Sequence, residues 1–174
     1  MIIALENIRS LYNVGSIFRT ASFFGIKKVL LVGYSGREKA GVDKLHEKIA
    51  KTALGAEKDL EVKFLAEPIQ LIKFAKNNKL KLVVVEQDKK SISLQKWRPK
   101  KNSVLVFGNE LQGCSLQVLK AANEIVEIPC LGKKKSLNVA IVAGVVLFLA
   151  GLRASNGEGI HSQYSGSSLQ CGRS

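Results

Sequence analysis

Short runs of Val, Ile and Leu alternate with stretches of helical periodicity along most of this chain. Ile2–Leu5, Lys28–Val32, Val62–Leu65, Leu80–Glu86, Val104–Phe107 and Ile125–Ile128 read as strands, several of them apolar on both faces. Between them, Val14–Phe24, Asp43–Leu54, Pro68–Asn77 and Leu116–Ala122 read as helices, with Pro68 suited to a first turn. Strands that need covering on two sides, alternating with helices, predict an α/β fold: a mainly parallel sheet with helices on both faces.

Two helical stretches stand apart. Asn13 is placed to cap the first and Gly25 to end it; at about 100° per residue Val14, Ile17, Phe18, Ala21 and Phe24 share one face, which predicts its burial. Arg19 points the other way, past the small residues Gly15, Ser16 and Ser22, and is the only charge between Arg9 and Lys27. A cation left alone in this way suits a ligand or a reaction as well as it suits solvent. The last helix, Leu137–Arg153, is apolar almost all round, so it should pack on its own sheet and also on another subunit.

Composition narrows the partners. At 174 residues the chain suits one domain. Residues 1–153 are expected to form it, leaving 154–174, rich in Ser and Gly, as a disordered tail. A net charge of +13 implies an anionic partner, nucleic acid first. Basic residues gather at Lys76–Lys81, at Lys96–Lys101 around Trp97, and at Lys133–Lys135. Cys114, Cys130 and Cys171 form no CxxC pair, and with His46 and His161 they make no metal spacing, which points to a reduced, cytoplasmic protein without a metal. No signal peptide is apparent, and the most lipid-like run, Val139–Leu152, is too short to span a bilayer, so no membrane partner is expected.

Ligands of open α/β sheets sit at the carboxyl ends of strands. Two strand ends carry the right residues. Val104-Leu-Val-Phe107-Gly108-Asn109-Glu110-Leu-Gln-Gly113 runs a buried strand into two glycines and a carboxylate. Ile125-Val-Glu-Ile128-Pro129-Cys-Leu131-Gly132-Lys-Lys-Lys-Ser136-Leu137-Asn138 leads through a basic loop into the apolar helix, where Ser136 and Asn138 can cap the helix or leave its N–H groups to a ligand. Gly132-Lys-Lys-Lys-Ser136 lacks the earlier glycine of a Walker A loop, that place being Glu127; no GxGxxG follows the early strands and there is no nucleophile elbow. P-loop, dinucleotide-binding and serine-hydrolase chemistry therefore find no support.

In order along the chain, Asn13-x-Gly15-x-x-x-Arg19-Thr-Ala, Leu-Val-Phe-Gly108-Asn-Glu110-x-x-Gly113, and Ile128-Pro129 followed by Ser136-Leu-Asn138-Val-Ala resemble the three motifs of the SpoU branch of the SPOUT RNA methyltransferases. Lys51-Thr-Ala-Leu-Gly-Ala-Glu57 also resembles that branch, and the likeness spans residues 2 to 150. It implies a deep trefoil knot in the C-terminal half, S-adenosylmethionine as cofactor, a homodimer through the C-terminal helix, and methylation of a ribose 2′-hydroxyl in tRNA or rRNA. By position it implies a cofactor site at Phe107, Gly108, Asn109, Gly113, Ile128, Leu131, Ser136, Leu137 and Asn138. It puts Arg19 in the catalytic place with Asn13 as its partner, Glu110 as the acidic residue of the second motif, and Ser136 and Asn138 in the knot loop. The arginine of one subunit is expected to approach the cofactor of the other.

Arg19 is often given the role of base in this family, but making a neutral guanidine at pH 7 costs roughly 7 kcal/mol. Holding the hydroxyl and an adjacent phosphate, and stabilising alkoxide character as it develops, is the role its chemistry favours. Glu110 is a second candidate base, although capping or ion pairing suits it better. The first motif begins near residue 7, so no extra N-terminal RNA-binding domain is expected, and Gln112, Cys114 and the Lys133–Lys135 run bear on substrate identity. Two alternatives remain: an RNA-binding ribosome-assembly factor without turnover, and an RNA base methyltransferase.

Overall fold

Seven strands run parallel in one sheet of order β3-β2-β1-β6-β4-β7-β5 in the computed structural model, which describes residues 1–133 and 136–155. They are β1 Ile2–Glu6, β2 Lys28–Val32, β3 Glu61–Leu65, β4 Lys81–Val85, β5 Ile92–Ser93, β6 Ser103–Phe107 and β7 Glu124–Glu127. All six expected strands are present. β5 is the addition, and its two residues carry no periodicity of their own.

The strands alternate between two cores, which is why they are apolar on both sides. Ile3, Leu5, Val83, Val85, Leu105 and Phe107 meet the buried residues of α1 (Leu11–Phe23) and α6 (Val139–Ser155) on one face. Ala4, Leu82, Val84, Val104 and Val106 meet α4 (Pro68–Asn77) and α5 (Leu116–Ala121) on the other. In α1 the expected face is buried at Val14, Ile17, Phe18 and Ala21, with Phe24 partly buried beside it. Register sets Leu5 beside Phe107, Phe107 beside Val85 and Val85 beside Val126, so the carboxyl ends of β1, β6, β4 and β7 finish in one row.

Three sequence expectations need correction. Helix α1 is capped by Ser10, whose hydroxyl accepts from the Asn13 N–H at 3.2 Å, so Asn13 lies inside the helix with its side chain free for other work. Gly15 does not open a space beside Arg19: a Cβ there would lie 2.2 Å from Thr52 Oγ1 and 2.4 Å from the Ile49 carbonyl oxygen, so the glycine lets the 49–53 segment close onto α1. The helix expected at Asp43–Leu54 is a loop, a 3₁₀ turn at Glu47–Ile49 and a single turn α2, Ala50–Ala53, followed by α3, Ala56–Asp59. Asp43 is drawn away by the buried Arg37 guanidinium, which also donates to the carbonyls of Gly33 and Val42, and Leu54 at φ +50° ends the turn. Trp97, within the basic Lys96–Lys101 run in sequence, is a core residue, 2% exposed with Nε1–H donating to Glu124.

Helix α6 begins at Val139, two residues later than expected, and reaches Ser155, into the expected tail; the rest of that segment lies outside the described residues. One side of α6, at Ala143, Val146, Leu147 and Ala150, is buried, and Ile141, Val145, Phe148 and Leu152 form an exposed apolar stripe opposite. Among the described residues no helix is long and apolar enough to cross a membrane, and no group of acidic, His and Cys side chains could hold a metal ion.

Candidate active site

A cavity of about 490 Å³ opens at the carboxyl ends of β4, β6 and β7. Its walls are apolar at Val85, Phe107, Ile128, Leu137, Val139 and Val142, and polar at Glu86, Gln87, Glu127 and Ser136. This is a size and a lining suited to a small organic ligand. Of the residues singled out by sequence for a cofactor, Phe107, Gly108, Asn109, Gly113, Ile128, Ser136 and Leu137 line it. Leu131 and Asn138 do not line it, and Leu131 is 95% exposed. Sequence reasoning missed Glu86 and Gln87 at the end of β4, whose only signal was a strand ending in polar residues.

Tight backbone turns shape the wall after β6. Asn109 and Gly113 exchange backbone hydrogen bonds of 3.1 and 2.9 Å. A Cβ on Gly108 would lie 2.4 Å from both the Cys114 nitrogen and the Gly113 carbonyl carbon. Gly113 itself is left-handed, φ +70°, and a Cβ there would strike the Glu86 carboxylate at 2.3 Å. The Asn109 side chain holds this turn together: Nδ2 donates to the Asn7 carbonyl and to the Tyr34 hydroxyl, each at 2.8 Å, and Oδ1 accepts from the N–H groups of Leu111 and Gln112. Asn109 therefore presents backbone to the cavity.

Glu110 faces the start of α1. Its carboxylate accepts from the N–H groups of Arg9 at 2.9 Å and Ser10 at 3.1 Å, and from Asn13 Nδ2 at 2.9 Å. Partial burial pushes its pKa up, but these donors and its own N–H outweigh burial and hold the carboxyl below its ordinary value. An ionised, well-satisfied carboxylate of this kind is a clamp on the 9–13 segment and a poor base.

Asn13 joins the three distant segments. Besides donating to Glu110, it accepts at Oδ1 from Asn138 Nδ2 at 3.2 Å, while Asn138 Oδ1 caps α6 by accepting from the Ala140 N–H at 2.8 Å. Ser136 stands free of the cap and lines the cavity. Arg19 is exposed on α1, makes no hydrogen bond or ion pair among the described residues, and does not line the cavity of its own chain. It lies six residues beyond Asn13, about 9 Å along the helix axis.

Buried beneath the 108–115 turn, the Cys114 thiol is pushed well above its ordinary pKa, first by burial and then by the carboxylates of Glu6 and Glu86. It is an inert packing group. Cys130, at the cavity mouth, is exposed.

The model of the SpoU rRNA methylase family matches residues 1–148. The chain is 28% identical over 165 residues to a tRNA (guanosine(18)-2′-O)-methyltransferase of Aquifex aeolicus, covering 95% of this chain and 74% of that protein. Its fold superposes on the crystal structure of the Aquifex aeolicus TrmH/SpoU tRNA modifying enzyme with a TM-score of 0.76 at 25% identity, covering 90% of this chain and 76% of that one. An AdoMet-bound rRNA methyltransferase from Sinorhizobium meliloti superposes with a TM-score of 0.75 at 26% identity; 86% of this chain is covered but 54% of that one.

Proposed function

The chain belongs to the SpoU rRNA methylase family, and from that membership and the geometry of its site we propose that it transfers a methyl group from S-adenosylmethionine to a ribose 2′-hydroxyl of tRNA or rRNA. One observation carries the reading. Asn13 bonds both Glu110 and Asn138, so three segments far apart in sequence meet beside a cavity of cofactor size.

The residues present fit the cofactor. An adenosine suits the apolar wall of Phe107, Ile128, Leu137 and Val139, and the carboxylates of Glu86 and Glu127 suit hydroxyls and positive charge. Bound there, S-adenosylmethionine would supply an electrophilic methyl on a cationic sulfur: the 2′-oxygen would bond that methyl as the carbon–sulfur bond breaks, leaving a neutral thioether, and the hydroxyl proton would be lost. The chain's own part is positional. The 108–113 turn and the loop through Ser136 and Leu137 enclose the cofactor with backbone groups, and Asn13 and Asn138 hold that loop against α1. Arg19 fixes the ribose hydroxyl and an adjacent phosphate in line and stabilises negative charge growing on the oxygen, the proton passing to phosphate or water.

The same reading includes a homodimer packed through α6, supported by the stripe Ile141, Val145, Phe148 and Leu152 and by Phe23, 81% exposed on α1. In such a dimer Arg19 of one subunit serves the cavity of the other, which accounts for its absence from its own cavity wall. It also includes a trefoil knot through the C-terminal half. The strand order with β7 between β4 and β5 supports this, as does the return of Arg153 at the end of α6 to the carbonyls of Leu94, Gln95 and Trp97. A cytoplasmic location fits Cys114 and Cys130, which form no disulfide among the described residues.

Incubation with methyl-labelled S-adenosylmethionine and total tRNA or rRNA, followed by digestion to nucleosides, tests the reading. A labelled 2′-O-methyl nucleoside is expected. A labelled base would assign base methylation instead, and cofactor and RNA binding without label would assign a factor without turnover.

A further inference from the structure

Most of the chain's positive charge lies away from the cavity wall, where Lys133 is the one basic residue among the described lining residues. At the carboxyl edge of the sheet the strand ends carry acids: Glu6 closes β1, Glu127 closes β7, and Glu86 and Glu110 follow β4 and β6. Three of these four line the cavity. At the amino edge the order is reversed. Lys27 and Lys28 open β2, Lys79 and Lys81 open β4, and Lys100 and Lys101 lead into β6.

Because every strand is parallel and β2, β1, β6 and β4 are neighbours, these six lysines stand along one edge spanning roughly 14 Å. The acids on that edge are already engaged: Glu61 pairs with Lys28 at 2.8 Å, Glu124 with Lys81 at 3.6 Å, and Asp59 accepts from the Ser22 hydroxyl. Lys27, Lys79 and Lys100 are exposed and form no ion pair among the described residues. Beside them a cleft of about 180 Å³ runs between Gly25–Ile26 and Pro99–Lys101, floored by Phe24 and Leu147.

We propose that this amino edge is a second RNA-contact surface, which grips the phosphate backbone of the substrate away from the methylated nucleotide. The proposal rests on the RNA-methyltransferase reading above. Charge is what favours this edge. A phosphate backbone laid only along the carboxyl edge meets the carboxylates of Glu86, Glu110 and Glu127, against which Lys133 is the one cation among the described lining residues, whereas unpaired lysines at spacings of one or two strands match a polyanion and release its counterions. In a dimer whose Arg19 reaches across, the surface is better placed still. Lys27 lies eight residues beyond Arg19 on the same α1-to-β2 segment, so the basic edge of the subunit that lends Arg19 flanks the cavity that receives it.

Binding of total tRNA at several salt concentrations tests this, independently of methyl transfer. The variant Lys27→Glu/Lys79→Glu/Lys100→Glu is compared with a charge-matched carboxyl-edge variant, Lys39→Glu/Lys89→Glu/Lys90→Glu, with the corresponding Gln triples as milder versions. The amino-edge triple should bind more than tenfold more weakly and lower the slope of log K against log salt by about 3, since each phosphate no longer neutralised by a lysine removes about 0.9. Its cofactor affinity should stay as in the wild type, and the carboxyl-edge triple should lose less on both measures. Equal loss in the two triples, greater loss at the carboxyl edge, or no loss at the amino edge would overturn the proposal. Failure of the enzymatic reading shows elsewhere, as RNA that is bound but never labelled.

Discussion

Asn13 Oδ1 and Asn138 Nδ2 lie 3.2 Å apart, 125 residues removed in sequence, and this hydrogen bond ties the first turn of α1 to the cap of α6. The same Asn13 amide donates to Glu110, so one side chain spans the start of the chain, the loop after β6 and the loop after β7. Replacing Asn13 with Ala should cost about 1–2 kcal/mol of stability, because both hydrogen bonds go with the side chain. A double-mutant cycle with Asn138→Ala should give a coupling energy of about 0.5–1 kcal/mol by chemical denaturation. Strict additivity would show that the Asn13–Asn138 hydrogen bond carries no energy.

Glu110 sets a pH dependence. Its carboxyl sits below its ordinary value in the folded chain, so the folded state favours the ionised form; the resulting stability is fully present above the unfolded value near 4.5 and is lost as pH falls through the lowered folded value. The difference in melting temperature between wild type and Glu110→Gln should be flat at neutral pH and should shrink below about pH 4.5. Catalysis should not track this titration near neutrality. A rate falling with an apparent pKa near 7 that disappears in Glu110→Gln would instead mark Glu110 as a base.

Gly108 is a steric requirement. With its Cβ position occupied by Cys114 N and the Gly113 carbonyl, Gly108→Ala must push back the turn that walls the cavity. Titration calorimetry should show cofactor affinity reduced by at least tenfold, together with a loss of stability of about 2–3 kcal/mol.

Arg153 fastens the end of α6. Its guanidinium donates to the Leu94 carbonyl at 3.2 Å, to that of Gln95 at 2.6 Å and to that of Trp97. Arg153→Ala should raise amide hydrogen exchange around residues 92–98 and lower stability by about 1–3 kcal/mol, since it frees three carbonyls from a charged donor.

Two of the three thiols should separate cleanly. In the native protein Cys130 should react quickly with an alkylating reagent, while Cys114, 5% exposed and raised in pKa by burial and by Glu6 and Glu86, should react only after unfolding. Mass spectrometry of a time course distinguishes the two sites.

Much of the fold was legible because the strands are buried on both faces: continuous apolar runs such as Lys28–Val32 and the proline-led helix at Pro68–Asn77 come out with the boundaries expected from sequence. Local pattern fails where a side chain is claimed from a distance. Asp43 resembles a helix start until Arg37 takes it, and Trp97 sits in a basic run in sequence yet is buried in the core with its indole N–H on Glu124. At the candidate site, the motif residues lie on strand ends that border the cavity, but sequence could not say that Asn13 is a strut and Ser10 the cap. Nor could it show that the Asn109 side chain is taken by Asn7 and Tyr34 while its residue lines the cavity, or that Glu86 and Gln87 complete the wall. Such facts depend on which atoms meet across strands that follow one another in space and not in sequence.

Arg19 is the test of the whole account, because it has no structural partner among the described residues and so its removal should cost little but chemistry. The direct measurement is methyl transfer to RNA by Arg19→Ala and Arg19→Lys, set beside their affinity for S-adenosylmethionine. Both variants should fold as the wild type does, bind the cofactor within about twofold of it, and leave the 2′-O-methyl nucleoside at least a thousandfold slower to form. A variant that keeps most of its turnover would contradict the account.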